Sequence, residues 1–285
     1  MPELPEVEVL LRHLRPLIRG EEIRCVDVRR VKVVWPTSSR QFRQVLLGAK
    51  FMQITRRGKY LLFKLRPKGG RKPVTLLGHL GMTGRMFLAP PAHPLPKHAA
   101  VVLKLRRVNF IYEDTRYFGR LTLDASAVAK LGPEPLSAKL DGVTFTRSLK
   151  RSRQAIKVKL LDQKLVAGIG NIYASEALFR ARISPKLPAA ALCPAQAQRL
   201  RRAVRAVLTE AIACGSTVPM NFGERRKSDG FFYFGRSPGA PNYYEERLRV
   251  YDREGQPCWN CRGPIKRIRQ AARSTFFCPL CQHAA

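Results

Sequence analysis

Residues 160–179 read LLDQKLVAGIGNIYASEALF, two stretches of helical character separated by Gly168 and Gly170. A tight glycine turn leading into a helix exposes backbone N–H groups and the positive end of the helix dipole, which suits one phosphate. Asn171 stands where an N-cap residue is favoured. On its own the pattern is equally typical of an ordinary helix–helix connection. Basic residues precede it at Arg151, Arg153, Lys157 and Lys159. With them, the stretch predicts a clamp for a nucleic-acid backbone.

The pattern on both sides of this turn predicts a chain of several domains. Helical spacing of apolar residues continues in 154–165, 172–183 and 194–214. Residues 23–123 carry short alternating or β-branched runs broken by Gly, Pro and basic turns, the pattern of a β-sandwich or β-barrel. Ahead of them, apolar residues at helical spacing from Val7 to Ile18 predict a leading helix.

Two stretches lack regular periodicity. The Pro-rich LGPEPLS at 131–137 predicts a hinge. Residues 223–243, rich in Gly, Pro, aromatic and charged residues, predict a long loop. We therefore expect a β domain, a hinge, a helical domain and a small cysteine module.

The charge of the chain narrows the class of its partner. It has 285 residues, with 53 Lys and Arg against 20 Asp and Glu, a net charge of +33 spread along its length. Such an excess favours a polyanion, above all nucleic acid, over a solvated basic surface or a membrane. No apolar run of spanning length and no signal-type segment is present, so we expect a soluble, cytoplasmic protein.

Four of the seven cysteines form one array, C-x2-C followed by C-x2-C, with sixteen residues between the pairs. Its members are Cys258, Cys261, Cys278 and Cys281. Two such knuckles supply a tetrahedral set of thiolates for one structural zinc, with a β-hairpin between them. Two disulfides or a redox pair are the alternatives. The other three cysteines are scattered and form no secreted disulfide framework, which favours a reducing compartment.

Seven separated segments, in order along nearly the whole chain, resemble the formamidopyrimidine-DNA glycosylases and their endonuclease VIII-like relatives. They are PELPEVE (2–8), RRGKYLL (56–62), HLGMTGR (79–85), DTRYFGRL (114–121), LGPEPLS (131–137), GIGNIYASEALF (168–179) and RSTFFCPLC (273–281) with the cysteine array. ELPE, where the endonuclease VIII-like branch commonly has EGPE, places the chain nearer the first branch.

The resemblance implies an α+β multidomain fold. It has an N-terminal catalytic β-sandwich with a leading helix (1–130) and a hinge or linker (131–150). A helix–two-turn–helix DNA-binding domain with a lesion-capping loop at 215–243 (151–245) and a zinc finger (246–285) follow. It also implies a monomer that binds double-stranded DNA containing damaged bases.

The resemblance assigns the chemistry to the N-terminus. Removal of Met1 would expose the secondary amine of Pro2, and an α-amino group titrates near pH ~8, so part of it is unprotonated at neutral pH. This amine would attack C1′ of the damaged nucleotide and form a Schiff base, with Glu3 as general acid and base and Glu6 orienting the amine. Lys59 and Arg273 would assist β- and δ-elimination. Taken alone, Pro2 and Pro5 with the acids beside them are typical of an ordinary helix start, Lys59 of a solvated strand lysine and Arg273 of a phosphate contact in the finger.

The resemblance also implies a set of DNA contacts. Met82, Arg116 and Phe118 match the side chains that fill the space left by an everted base, and their types suit a plug, a donor fork and a wedge. His98, Arg153, Lys157 and Asn171 match contacts to the DNA backbone.

The match is weaker at three places. Ala100 stands where the family usually has histidine, and Thr115 where it has proline. GSTVPMNF (215–222) and the loop after it match the family pattern only loosely, in the region that in the family closes over the everted base. We expect excision of oxidised purines. An endonuclease VIII-like enzyme for oxidised pyrimidines and a non-catalytic protein that binds damaged DNA or RNA are the alternatives.

Overall fold

The computed structural model describes residues 2–70, 72–215 and 247–283. Its helices are α1 (Leu4–Ile18), α2 (Ser39–Leu46), α3 (Gly142–Lys150), α4 (Ile156–Leu160), α5 (Asn171–Arg180) and α6 (Pro194–Ala213). Its strands are β1 (Cys25–Val28), β2 (Lys50–Arg57), β3 (Tyr60–Arg66), β4 (Val74–His79), β5 (Arg85–Ala89), β6 (Ala99–Lys104), β7 (Asn109–Glu113), β8 (Arg120–Thr122), β9 (Lys266–Gln270) and β10 (Arg273–Phe277).

Strands β1–β8 form two four-stranded antiparallel sheets, ordered β1-β6-β7-β5 and β2-β3-β4-β8. The sheets share one apolar core, because Phe63 of β3 and Phe110 of β7 meet edge to face with ring centroids 5.6 Å apart. Alternation along β3 buries every second side chain, as expected for a strand with one face on a core. Leu10 and Leu14 of α1 complete the same core. The predicted β-sandwich with a leading helix is confirmed.

The chain divides into two compact units, with the boundary between Ala129 and Lys130. The LGPEPLS segment, expected to be a hinge, is tied to the second unit. Its Gly132 N–H donates to the Gln163 carbonyl at 2.8 Å. The Arg205 guanidinium donates to the carbonyls of Pro135, Leu136 and Ser137 at 3.0–3.3 Å. These bonds hold the segment in place, so it is not a free connector.

Two helical features differ from the sequence expectation. The stretch 131–150, expected to be a linker, contains α3, which buries Phe145 and Leu149 and packs against α6. With only two buried apolar residues, α3 has too weak a periodicity to be recognised. The helix expected over 154–165 ends at Leu160, because the Asp162 carboxylate accepts a hydrogen bond from the Lys164 N–H at 2.9 Å and turns the chain.

The hairpin expected between the cysteine pairs is present as β9 and β10, which pair antiparallel with Arg273 opposite Gln270. Ala271 and Ala272 form its turn, both with positive φ. The loop expected at 215–243 lies outside the described residues except for Gly215. Among the described helices, none has the length and apolar character needed to cross a bilayer.

Candidate active site and nucleic-acid interface

The start of the chain places two buried carboxylates next to Pro2. Helix α1 begins at Leu4. Pro5 fits its first turn, because backbone N–H groups in the first turn have no acceptor within the helix and the missing N–H of proline therefore costs no hydrogen bond. Glu3 and Glu6 are each 1% exposed, and the Glu6 carboxylate accepts a hydrogen bond from the Glu3 N–H at 2.8 Å. This is the arrangement of a capping box, and it fixes both acids beside the partly exposed Pro2.

Arg56 of β2 connects this helix start to the turn that carries Lys59. Its Nε donates to Glu8 of α1 at 2.9 Å, and its Nη1 donates to the Gly58 carbonyl at 3.1 Å. Burial of Glu8 opposes ionisation, but hydrogen bonds from Arg56 and Arg12 outweigh it and lower the pKa of this carboxyl. Lys59 is 8% exposed. Arg56 therefore links helix α1 to the turn that precedes Lys59, a role that its sequence pattern did not reveal.

His79, at the end of β4, is a second residue that the motif contained but the sequence reasoning did not single out. It pairs with Tyr60 across the sheet, and the two rings lie 4.7 Å apart. Burial, together with the positive charges of Lys59 and Arg120, lowers the pKa of His79 to about 4. Its Nδ1 accepts a hydrogen bond from the Gly81 N–H at 3.2 Å, so a neutral ring carries its proton on Nε2.

Met82, Arg116 and Phe118 come together on the surface of the first unit. Met82 is 45% and Phe118 49% exposed. Arg116 bridges them, with Nη1 at 3.5 Å from the Met82 Sδ and its guanidinium carbon 4.6 Å above the Phe118 ring. The two exposed apolar side chains and the cation between them form one continuous surface cluster. We define residues 114–119 as the wedge loop.

The buried Asp114 holds the backbone of the wedge loop through hydrogen bonds. It is fully buried and accepts hydrogen bonds from the Gly119 N–H at 2.8 Å, the Arg116 N–H at 3.1 Å and the Thr83 hydroxyl at 2.6 Å. Position 119 must be glycine, because a Cβ there would lie 1.9 Å from the Tyr112 hydroxyl. Burial and the Asp114 charge raise the pKa of Tyr112, which therefore stays a neutral hydroxyl under Asp114.

In the second unit, Lys157 and Asn171 meet at the hairpin. Lys157 is 0% exposed, and its Nζ contacts the Asn171 Oδ1 and lies 3.4 Å from the Ser274 carbonyl. The Asn171 Nδ2 donates to the same carbonyl at 2.8 Å. Both residues therefore hold the strand directly after Arg273, which is itself exposed.

The expected N-cap role of Asn171 is wrong. Gly170 occupies the N-cap position and α5 begins with Asn171, whose side chain is used for the hairpin contact. Gly168, with φ of +89°, makes the turn, and its N–H donates to the Gln163 side chain at 2.9 Å. Arg153, the remaining basic residue assigned to the DNA backbone in this unit, is exposed just before α4.

Glu176 of α5 ties the helical part of the second unit to the cysteine module. It is 2% exposed, and its carboxylate accepts the backbone N–H groups of Arg249, Val250 and Tyr251 at 2.9–3.0 Å. Burial raises the pKa of Glu176, against the opposing effect of these three donors. Nothing in the sequence pattern singles out Glu176, because an acid in a helix is most often solvated.

The four cysteines of the array form a metal site. Their sulfur atoms all lie within 4.8 Å of one another, with Cys258 at 3.9 Å from Cys281 and Cys261 at 3.4 Å from Cys278. These separations are too long for a disulfide, whose S–S bond is about 2 Å, and suit a tetrahedron with Zn–S of about 2.3 Å. The donor set thus fits one structural zinc, with no position left open for water.

Comparison with known proteins gives three family matches in succession. The formamidopyrimidine-DNA glycosylase N-terminal domain matches residues 1–121, and the formamidopyrimidine-DNA glycosylase H2TH domain matches residues 131–221. The zinc finger found in FPG and IleRS matches residues 255–284.

The curated relatives cover the chain from end to end. Formamidopyrimidine-DNA glycosylase of Thermus thermophilus is 43% identical, over 99% of this chain and 98% of that protein. The protein of the same name from Phenylobacterium zucineum is 40% identical, over 99% of this chain and 100% of that protein.

Solved structures agree with these matches. A complex of the Lactococcus lactis Fpg with DNA containing an abasic site superimposes with a TM-score of 0.86 at 33% identity, covering 99% of this chain and 100% of that chain. A structure of MutM in complex with DNA containing carbocyclic 8-oxo-G gives the same TM-score, identity and coverage. The chain, with its buried acids behind Pro2 and its four-cysteine finger, belongs to the formamidopyrimidine-DNA glycosylase family.

Proposed function

We propose that this protein is a bifunctional DNA glycosylase and abasic-site lyase of base-excision repair. It removes oxidised purines, 8-oxoguanine and formamidopyrimidines, from duplex DNA through a Schiff base at Pro2, and then cleaves the strand by β- and δ-elimination. The observation that carries the proposal is the pair of buried acids, Glu3 and Glu6, fixed directly behind Pro2.

The first step forms a bond between the Pro2 nitrogen and C1′ while the bond from C1′ to the base breaks. The base leaves with the bonding electrons and takes a proton, and in this proposal Glu3 donates that proton and assists opening of the sugar ring. The burial of Glu3 and Glu6 supports this assignment. A buried acid next to the amine keeps a fixed position, which favours proton transfer.

The first lyase step removes a proton from C2′ of the Schiff base and expels the 3′ phosphate with the electrons of its C–O bond. The second removes a proton from C4′ and expels the 5′ phosphate in the same way. In this proposal Lys59 contacts phosphate and donates a proton in the first elimination, and Arg273 acts in the second. Their settings support it: Arg56 holds the carbonyl of Gly58, the residue before Lys59, and Lys157 and Asn171 hold the carbonyl of Ser274, the residue after Arg273.

DNA recognition is divided between the two units in this proposal. Met82, Arg116 and Phe118 enter the duplex, and His98, Arg153, Lys157 and Asn171 contact its backbone. A catalytic domain (1–130), a DNA-binding domain (151–245) preceded by the packed segment 131–150, and a zinc finger (246–285) are part of it. So are a monomeric state and a cytoplasmic location in association with the nucleoid, which the bacterial origin of the relatives supports.

The test is borohydride trapping on duplexes containing 8-oxoguanine or thymine glycol. We expect the native protein to be trapped on 8-oxoguanine, Pro2→Gly to be trapped far less, and Pro5→Ala, which keeps the terminal amine and the helix, to be trapped like the native protein. Preferential trapping on thymine glycol would favour an endonuclease VIII-like spectrum. No adduct on either duplex, or full activity with Met1 retained, would contradict the mechanism.

A further inference from the structure

Tyr117, at the centre of the wedge loop, has a backbone conformation that its residue type disfavours. Its φ of +53° lies in the left-handed region, where a Cβ approaches the following carbonyl. An aromatic residue stays there only when its surroundings hold it. Thr115, two positions earlier where the resemblance expects proline, does not restrict its own φ in the way proline would.

The side chain of Tyr117 supplies that restraint. Its ring packs against the apolar core of the first unit. The Tyr117 hydroxyl accepts a hydrogen bond from the Arg30 Nε at 3.1 Å, and the His98 Nδ1 lies 3.4 Å from the same oxygen. The Arg30 guanidinium carbon also lies 5.2 Å from the ring centroid, and the His98 ring meets it edge on at 6.3 Å.

The anchoring of Tyr117 determines the orientation of its two neighbours, Arg116 and Phe118. Because Tyr117 points inward, Arg116 and Phe118 are exposed on the outside of the loop, where Arg116 lies over the Phe118 ring. Asp114 fixes the backbone at residues 116 and 119. Among the described residues, Tyr117 provides the side-chain anchor at the middle of the loop.

Building on the proposed function, we propose that Tyr117 is a positioning residue for base eversion, which acts with Arg30 and His98. The anchor holds Arg116 and Phe118 outward before DNA arrives, so that the loop enters the duplex without first having to be ordered. On this account His98 serves the wedge loop through Nδ1, in addition to any phosphate contact made through Nε2.

The test compares base excision with cleavage of a preformed abasic site. Tyr117→Phe keeps the ring and its packing but loses both hydrogen bonds of the hydroxyl. A damaged base must be unstacked before excision, whereas an abasic site has no base to unstack. We expect the ratio of the single-turnover excision rate on 8-oxoguanine to the cleavage rate on abasic DNA to fall about tenfold.

Arg30→Ala should lower the same ratio, and the two effects should be less than additive in the double variant, because both changes remove the Arg30–Tyr117 hydrogen bond. Arg24→Ala is the control. It removes an exposed arginine of the same unit and should leave the ratio unchanged. Equal slowing of both reactions in Tyr117→Phe, an unchanged ratio, or additive effects would each overturn the positioning role alone. A native protein without excision activity would instead overturn the proposed function, and this inference with it.

Discussion

The lowered pKa of His79 predicts a pH dependence of the stability of the first unit. In an unfolded chain this histidine titrates at about 6.5. In the folded unit, burial and the charges of Lys59 and Arg120 lower the pKa to about 4. Between these values the unfolded chain binds a proton that the folded unit does not, so His79 contributes no penalty above pH 6.5 and destabilises increasingly as the pH falls towards 4. The loss between pH 7.5 and 5.0 is at most about 2 kcal/mol, because part of the ring keeps contact with water.

The measurement is urea unfolding at pH 7.5 and 5.0, followed by tryptophan fluorescence. The chain has two tryptophans, so Trp259→Phe leaves Trp35 as a reporter in the first unit. His79→Gln removes the titration but keeps an oxygen that accepts from the Gly81 N–H. We expect this variant to lose less stability than its parent between the two pH values, by up to about 2 kcal/mol.

His283→Gln, in the second unit, is the control and should leave the loss unchanged. Equal losses in His79→Gln and its parent would refute the assignment of a neutral, buried His79.

Three further predictions concern the second unit and the charge of the chain. Glu176→Gln leaves at least one buried N–H facing an amide donor, and should lower the unfolding free energy by about 2 kcal/mol in urea titrations followed through Trp259. Unchanged stability would show that the acid is not what holds the module. Cys258→Ser should lose zinc and DNA affinity together, whereas Cys193→Ser, outside the cluster, should lose neither, as checked by metal analysis and binding titration. DNA affinity should fall steeply with salt, with a log–log slope of magnitude about 4 or more, and a flat response would contradict the assignment of basic residues to phosphates.

Periodicity was sufficient for the fold wherever an element buries a long apolar face. The strands of the sandwich and the twenty-residue helix α6 are of this kind. It was insufficient for α3, where only Phe145 and Leu149 are buried. It was also insufficient for the end of α4, where a single side chain, that of Asp162, turns the backbone. The LGPEPLS segment was misread for a related reason. Its prolines indicate a break in regular structure, but the three bonds from Arg205 that fix it come from a residue about seventy positions away.

The sequence motifs identify most of the candidate site residues, but they do not identify the residues that hold those site residues in place. Pro2, Glu3 and the cysteines stand out because their types and spacing suit a specific chemistry. Arg56 and Glu176 do not stand out, because an arginine or an acid gains a structural role only through the groups it meets in the folded chain. Such contacts join residues far apart in sequence, and a single sequence carries no record of them.

Lys157 shows how burial changes an assignment made by resemblance. A lysine ahead of a glycine turn is naturally expected to bind phosphate, but its ammonium is fully buried and directed at the Asn171 side chain and the Ser274 carbonyl. A buried charge is stabilised by such partners. If the Lys157 ammonium moved to contact DNA, its hydrogen bonds to the Asn171 side chain and the Ser274 carbonyl would be lost. The arrangement is better suited to holding the strand that carries Arg273 than to binding a phosphate alone. Lys157 and Asn171 therefore hold the strand that follows Arg273, in addition to the backbone contacts proposed for them.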